Sequence, residues 1–336
     1  MKPKSLILFL LLLLSACSGS KRILAFEVLY PAEFSFPVEV DRVAYINRSP
    51  YTKYNFKNLW DKRTDQETLY ILDTIVSNSL KNGVLDGTAE SGLYYLDSII
   101  IVNLRRTYDA KRSGELSVSE REAIYRNYNV DAMIVVDNFG VYIEESYSGF
   151  SSDQNQFYTE FLFSANVQWH IYTRGADSAN LSYQQQDTLF FTNYMNTPPG
   201  DMVNATSVLR NGFYAFARTF SMKLVPEWIQ VERYVFRGGD AVLKKASDFT
   251  DKGEWEAALE IWKQLSESKD DRLSAMALHN ISVYYELNDD IDTALDFSNK
   301  AQEKWKANNT IKLQNLRLMQ RSGYMKKIRT QYRITQ

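Results

Sequence analysis

The sequence predicts an α+β domain followed by an all-α domain of helical repeats. The α+β part is expected to be an α/β sandwich with a mixed sheet, a long antiparallel hairpin and covering helices. Residues 25–235 hold most of the aromatic residues and nearly all strand patterns, whereas residues 240–325 have helical patterns without interruption. Gly238 and Gly239 separate the two parts, and Asp240 is expected to cap the next helix.

Strand and helix patterns alternate in the first part of the chain. Apolar residues at alternate positions or in continuous runs predict strands, and apolar residues three and four apart predict helices. The run at residues 99–102 is apolar on both faces, which predicts a covered central strand. Ser119, followed three residues later by Glu122, predicts a capping box for a short helix ending at Asn129. The other predicted elements are strands 38–47, 95–103, 130–136 and 181–192 and helices 66–84 and 202–222.

The clearest pattern is a strict alternation of apolar and mostly polar residues over residues 157–171. This alternation predicts a long strand that pairs with residues 135–147 across a polar loop at 148–156. Helices 66–84 and 202–222 are expected to cover its apolar face. The alternative is a membrane strand of a pore or secretion assembly, since about 9 to 11 residues suffice for such a strand.

Two segments near the carboxyl terminus align with each other. Ala258 and Ala294 are 36 positions apart, close to the tetratricopeptide period of about 34 residues. The first copy departs from the pattern at Lys245, and residues 310–326 are expected to form a closing helix. Such repeats bind peptides through their inner helices. The pattern of the second copy predicts a concave partner-binding surface of Met276, His279, Val283 and Glu286. The alternative is that the repeats only pack on the α+β domain.

The amino terminus has the layout of a cleavable signal peptide. Lys2 and Lys4 precede a nine-residue apolar run at 6–14, too short to span a bilayer that needs about 20 helical residues. Residues 14–17, Leu-Ser-Ala-Cys, resemble a bacterial lipobox, which predicts lipid attachment at Cys17. The alternative is ordinary cleavage that leaves a free thiol. The expected divisions are signal peptide 1–16, lipidated tether 17–27, α/β domain 28–237, repeats with closing helix 238–326 and tail 327–336.

Composition and charge exclude several classes of function. Without Lys2 and Lys4 the chain has 37 basic and 41 acidic residues, a net charge of about −4, so no footprint for nucleic acid is expected. Cys17 is the only cysteine, so no internal disulfide is expected. His170 and His279 have no metal-ligand partner at helix or hairpin spacing. With no nucleophile-elbow, dinucleotide or P-loop motif, we expect no enzyme activity, no metal and no cofactor.

Five aspartates are followed by Ser or Thr and then an aliphatic residue. This pattern resembles the O-glycosylation acceptor motif of Bacteroidota envelope proteins. Of these sites, Ser98, Ser178 and Thr188 are expected near turns and are the candidate acceptors. Chance combined with helix capping is the alternative explanation.

Two resemblances concern larger parts of the chain. The buried strand at residues 130–136, the long hairpin and the alanine-rich helix after it resemble the α/β domain of curli-secretion-type lipoproteins and the amino-terminal domain of the Tol-system propeller protein. The whole layout resembles a Bacteroidota lipoprotein family of unknown function: a lipobox, this domain, Phe-Ala-Arg at 216–218 leading into Leu-Val-Pro-Glu-Trp at 224–228, and then repeats. These resemblances imply a fold and a location but no activity.

We therefore expect a non-enzymatic envelope scaffold or adaptor that binds a protein partner through its repeats. Ser18 after the cysteine is typical of lipoproteins sent to the outer membrane, and we expect the periplasmic face. A component of an outer-membrane secretion or pore assembly is the alternative.

Substitution Cys17→Ala is expected to abolish incorporation of radioactive palmitate into the protein in growing cells. The reason is that one acylated sulfur is expected to supply the whole membrane anchor. The unsubstituted protein, labelled in parallel, serves as the control. A mature wild-type protein without label would contradict the assignment.

Overall fold

A computed structural model describes residues 21–50, 66–89, 91–93, 96, 98–105, 114–196 and 201–333 of the 336-residue chain. These residues form two compact units. Unit 1 contains the described residues up to Tyr30 together with Trp228–Ile328, and unit 2 contains those of Pro31–Glu227 and those from Arg329 onwards. The architecture is the predicted one, a mixed α+β part followed by a run of helices.

Strands and helices alternate up to residue 236, and helices follow from residue 241. In chain order the elements are β1 Lys21–Tyr30, β2 Val43–Asn47, α1 Gln66–Ala89, β3 Ile100–Asn103, α2 Val118–Tyr128, β4 Ala132–Ser151, β5 Gln156–Thr173, β6 Leu181–Met195, α3 Asp201–Ser221, β7 Glu227–Phe236, α4 Ala241–Asp251, α5 Trp255–Ser266, α6 Asp271–Leu287, α7 Ile291–Lys304 and α8 Asn309–Gln331.

Unit 2 contains a five-stranded mixed sheet in the order β3-β2-β4-β5-β6. Strands β3, β2 and β4 are parallel, whereas β4, β5 and β6 are antiparallel. The β4–β5 register runs from Ala132 opposite Thr173 to Ser151 opposite Gln156, so the hairpin is longer than predicted and its turn is shorter. Its long alternating strand is the one that the sequence predicts.

The apolar face of β5 packs against α3. Phe163 lies edge-on to Phe213 at 5.4 Å between ring centroids, and Trp169 stacks on Phe220 at 4.1 Å. Gln185 of β6 accepts a hydrogen bond from Trp169 Nε1 (3.0 Å) and donates one to the carbonyl oxygen of Phe216 (3.1 Å), which satisfies these buried polar groups. The face that motivated the pore alternative is therefore covered within unit 2.

The opposite face of the sheet packs against α2 through a smaller core that includes Ile46, Ile124 and Met133. Helix α2 begins with a capping box formed by Ser117 and Glu120, two residues earlier than the predicted pair of Ser119 and Glu122. Either serine satisfies the spacing rule, so only the position at which the backbone becomes helical distinguishes them.

Strand β3 lies at the sheet edge in the described part of the chain, and Ile101 is 47% exposed. The prediction of a covered central strand at residues 99–102 is therefore wrong. The central position next to β4 belongs to β2, all five residues of which are buried. A fully apolar sequence is typical of a strand covered on both faces, but in β3 the face that carries Ile101 is exposed in the described part of the chain.

Unit 1 combines helices α4 to α8 with a two-stranded sheet of β1 and β7. Asp240 caps α4 as expected, and its side chain accepts bonds from the amides of Val242 (2.7 Å) and Leu243 (3.1 Å). Ala258 and Ala294, the small residues of the two aligned segments, are completely buried.

The strands of unit 1 differ from the predicted divisions. Residues 21–27, predicted to be a tether, form most of β1. Residues 228–236, predicted to be part of the α/β domain, belong with the helices of unit 1. The predicted tail from residue 327 begins inside α8, and its described residues from Arg329 onwards belong to unit 2. Here Gln331 bonds the backbone of Ala32, with 3.1 Å to both its amide and its carbonyl.

Substitution Gly212→Ala is expected to destabilise unit 2 by about 1–3 kcal/mol, the usual cost of overpacking a core. A Cβ at position 212 would lie 2.5 Å from the ring of Phe163, a contact that requires the core to shift. Urea denaturation, with hydrogen exchange to assign the effect to unit 2, measures the change.

Gly323→Ala is the control, because a Cβ at position 323 of α8 meets no atom within 4 Å. It is expected to stabilise α8 by up to about 1 kcal/mol through helix propensity. Equal effects of the two substitutions would contradict the packing argument.

Candidate functional site

The face of α6 predicted as a concave binding surface is covered by β7. His279 Nε2 lies 2.8 Å from the carbonyl oxygen of Tyr234. The side chain of Asn280 accepts a bond from the amide of Phe236 (2.8 Å) and donates one to its carbonyl (2.7 Å). Asn280 thus pairs with β7 as a neighbouring strand would.

The prediction that His279, Val283 and Glu286 line an open groove is therefore wrong, since all three are buried. Met276 is partly buried and packs on the same core. The physical reason is that unit 1 contains the sheet of β1 and β7, whose residues are predicted to lie in the tether and in the α/β domain.

A buried carboxylate holds β7 on the helices. Glu286 accepts bonds from Arg233 Nε (2.8 Å) and Nη2 (2.6 Å), from Gln314 (2.6 Å) and from Arg321 Nη1 (3.2 Å). Burial opposes ionisation of Glu286, but the bonds from Arg233 and Gln314 and the charge of Arg321 lower its pKa below the usual value. Glu286 is therefore ionised and paired, a structural role that leaves it unavailable to a partner.

A cleft of about 410 Å³ lies beside this cluster, between β7 and α8. Arg317 supplies positive charge, and Tyr30 and Tyr324 form an aromatic wall with ring centroids 4.8 Å apart. Arg317 is half-exposed, with Nη1 3.4 Å from the backbone oxygen of Glu232. The other lining residues are Val231, Glu232, Arg233, Gln320 and Arg321. Guanidinium groups beside tyrosines suit an acidic or amide-bearing side chain.

The outer face of α8 continues from this cleft. Leu313, Leu316 and Met319 are 43%, 53% and 57% exposed, and their spacing places them along one side of the helix. Helix α8 has six lysine and arginine residues and no aspartate or glutamate. The last helix of a repeat array usually presents a polar outer face, so this apolar and basic face is unusual. We call Leu313, Leu316, Met319 and the neighbouring Arg317 the α8 surface.

A second polar cluster lies in unit 2, where the parallel strands β2 and β3 end. Asp73 forms a two-pronged ion pair with Arg105, with both distances 2.7 Å. Asp137, in the β4 bulge between Val136 and Asn138, lies 3.0 Å from Arg48. Ligands of open α/β sheets bind at this edge, but these charges are buried and paired with each other. Arg105 also donates bonds to the backbone oxygens of Ser49 and Pro50 (2.7 Å each), so these charges hold the described residues that directly follow β2 and β3.

His170 is buried beside this cluster. Its Nδ1 lies 3.0 Å from Ser182 Oγ, which donates a bond to Glu115 (3.1 Å). Burial lowers the pKa of His170, although Asp137 and Glu115 oppose the shift. Its Nε2 is buried without a hydrogen-bond partner among the described residues.

The candidate glycosylation residues are all exposed. Ser178 follows the turn after β5, and Ser98 precedes β3. Thr188, expected near a turn, lies instead within β6, where its hydroxyl is 2.9 Å from that of Ser164. Cys17 lies outside the described residues.

The described residues lack two further features. They contain no cluster of three or more histidine, cysteine, aspartate or glutamate side chains suited to a metal ion. Within the same ranges, no helix combines the length and the apolar composition needed to cross a bilayer.

Residues 40–236, more than half of the chain, match the family described as Domain of unknown function (DUF8603). The chain belongs to this family. Residues 244–330, which form the helices after this part, match a second family, Domain of unknown function (DUF6340). No curated protein matches the chain.

Among solved structures, the DUF8603 chain is similar to a protein from Helicobacter pylori described as a homolog of neuraminyllactose-binding hemagglutinin. The identity is 10%, the match covers 56% of this chain and 86% of that chain, and the TM-score is 0.31. Likeness at this level implies nothing about a ligand.

The sequence analysis did not predict a role for Arg233, which binds Glu286 and so holds β7 over the predicted groove. A signal was present, because Ile229, Val231 and Val235 alternate with polar or exposed residues. The same alternation occurs in β1. Neither segment has a turn signal that would join it to a neighbouring strand, so pairing between residues about 200 positions apart could not be predicted.

Unit 1 is expected to lose stability as the pH falls from 6.5 towards 4, by about 1.4 kcal/mol for each pH unit. Burial lowers the pKa of His279 to about 4, with the bond to Tyr234 and the charge of Glu286 opposing and Lys21 assisting the shift. The unfolded chain binds this proton near pH 6.5, whereas the folded chain does not, so acid favours unfolding. Protonation would also place a charge on Nδ1, which is buried without a partner.

The measurement is urea denaturation between pH 7 and pH 5, with hydrogen exchange of α6. His279→Gln keeps a donor for Tyr234 and is expected to flatten the pH dependence. His170→Gln, in unit 2, should leave the slope for α6 unchanged. A slope that persists in His279→Gln would contradict the assignment.

Proposed function

We propose that this protein is a lipid-anchored adaptor of the bacterial envelope that binds an acidic segment of a protein partner through the α8 surface. One observation carries the proposal, the exposure of three large apolar side chains on a helix with only basic charges. Apolar area supplies the driving force for association, and the excess of cations selects an acidic partner.

The cleft next to the α8 surface adds specificity. An acidic side chain of the partner would meet Arg317 there, and Tyr30 and Tyr324 would contact its neighbours. Arginine and tyrosine are frequent hot-spot residues in protein interfaces, since they combine area with directed hydrogen bonds. A helix is the expected shape of the bound segment, because the apolar residues of α8 are spaced to receive a second helix.

In this proposal the helices are repeats of the tetratricopeptide type. Helices α4 and α5, and then helices α6 and α7, follow one another as two pairs with buried alanines 36 positions apart, and α8 follows them. We infer that the partner helix packs on the outward side of α8, where the next repeat of a longer array would stack. The predicted inner face is occupied by β7 instead.

In this proposal, lipid on Cys17 anchors the protein to the membrane, and its family consists of Bacteroidota lipoproteins. The lipobox-like residues and Ser18 support attachment to the outer membrane with the protein on the periplasmic side. An adaptor there would hold its partner near the membrane. No observation among the described residues favours a pore component as a second function.

A photoreactive amino acid at position 320, at the rim of the cleft, is expected to crosslink an acidic protein in cells. Leu316→Asp and Met319→Asp should each lower binding of that purified partner by about tenfold or more, since a carboxylate replaces a buried apolar contact and repels an acidic ligand. Binding should also weaken as salt is added.

The matched control is Val242→Asp, which changes an equally exposed apolar residue on α4 of the same unit. It should leave binding unchanged. Equal loss of binding in Val242→Asp, or crosslinking at position 320 to lipid alone, would contradict the proposal.

A further inference from the structure

The last strand of the sheet in unit 2 has one unpaired edge within the described part of the chain. Strand β6 pairs with β5 over 15 positions, from Leu181 opposite Ile171 to Met195 opposite Phe157, without a bulge. The amide of Thr188 donates to the side chain of its own neighbour Asp187 at 2.7 Å, so this amide is directed away from β5. Backbone groups alternate along a strand, and those of Phe190 and Thr192 therefore also point outward.

Apart from one charged residue, Asp187, this edge lacks the features that usually prevent pairing with another strand. Natural edges are short, kinked by bulges or carry lysine and proline. Residues 181–195 contain no lysine, arginine or proline. Phe190 is 79% exposed, more than any other large apolar residue of the described ranges.

The sequence of β6 is self-complementary about Phe190. An antiparallel pair of β6 strands centred on this residue places Leu189 opposite Phe191, Thr188 opposite Thr192 and Gln186 opposite Tyr194. Asp187 then falls opposite the uncharged Asn193, whereas centring on Asp187 would set two carboxylates against each other. Aromatic and threonine pairs are favourable across antiparallel strands. The register therefore favours a second copy of this chain as the occupant.

We propose that two copies of the protein pair through β6 across a two-fold axis at Phe190, which joins two five-stranded sheets into one of ten strands. The contact is isologous, so it closes after two copies and does not continue into a fibre. It uses a surface distinct from the α8 surface. The dimer would carry two α8 surfaces and two lipid anchors, which raises its avidity for a partner and for the membrane.

The mass of the full chain carrying Cys17→Ala is measured by light scattering and sedimentation. Concentrations extend to about 100 μM, because even a dimer with a Kd in the micromolar range forms there. A dimer of twice 38.9 kDa is expected. Phe190→Lys places two like charges on the axis, and Thr192→Pro removes an outward amide without touching the ladder with β5. Both are expected to be monomers, whereas Phe190→Tyr should remain a dimer.

Tyr142→Lys is the matched control, since Tyr142 is also exposed but lies on β4, which is separated from β6 by β5. It should remain a dimer. Phe190→Cys provides a positive test that does not depend on disruption. Opposed residues of a hydrogen-bonded pair have Cα atoms about 5.5 Å apart, within disulfide range, so oxidation should link two chains. Tyr142→Cys should not form this link.

A monomer at the highest concentration, without a disulfide at position 190, would overturn the proposal. So would a dimer that persists in both Phe190→Lys and Thr192→Pro, because it would use another surface. If Phe190→Lys does not fold, Thr192→Pro and the disulfide decide the result.

Discussion

The organisation of unit 1 depends on the carboxylate of Glu286. It lies on α6, is fully buried, and its oxygens receive bonds from β7 and from α8. Loss of one partner from such a buried pair costs about 3–5 kcal/mol, because the remaining charge is left without compensation. Three elements distant in sequence are therefore fixed to one another through a single side chain. Replacement of the whole group by apolar residues of similar volume would avoid that cost.

This constraint decides which surface of the helices is available. The inner face of α6, where peptides bind to many helical repeats, is occupied by the molecule's own strand. The outward side of α8 remains, and its apolar and basic character contrasts with strands β4, β5 and β6, which contain no lysine or arginine. The two units thus differ in the chemistry they offer. One presents cations with apolar side chains, and the other presents backbone edges with aromatic and amide side chains.

The sequence predicts the local structure of this chain well wherever a pattern is long. Fifteen residues of strict alternation establish which face of β5 is buried, since a shift of one residue would expose Phe161 and Phe163. Asp240 after two glycines places the start of α4 correctly. The candidate site was not predictable in the same way. Its position depends on the pairing of β1 with β7 and on the ion pair between Arg233 and Glu286. These contacts join residues far apart in sequence, and no periodic pattern indicates which distant residues will meet.

The division of the chain between the two units is interleaved. The polypeptide contributes β1 to unit 1, then all the sheet of unit 2, then β7 and the helices of unit 1, and finally a short end in unit 2. Neither unit is a continuous stretch of sequence. A cut at residue 237, which looks natural from the glycines there, would release the helices without the strands that cover His279 and Glu286. Dissection of this protein by truncation would therefore expose an apolar and charged interior, and any binding seen with such a fragment would report on that interior.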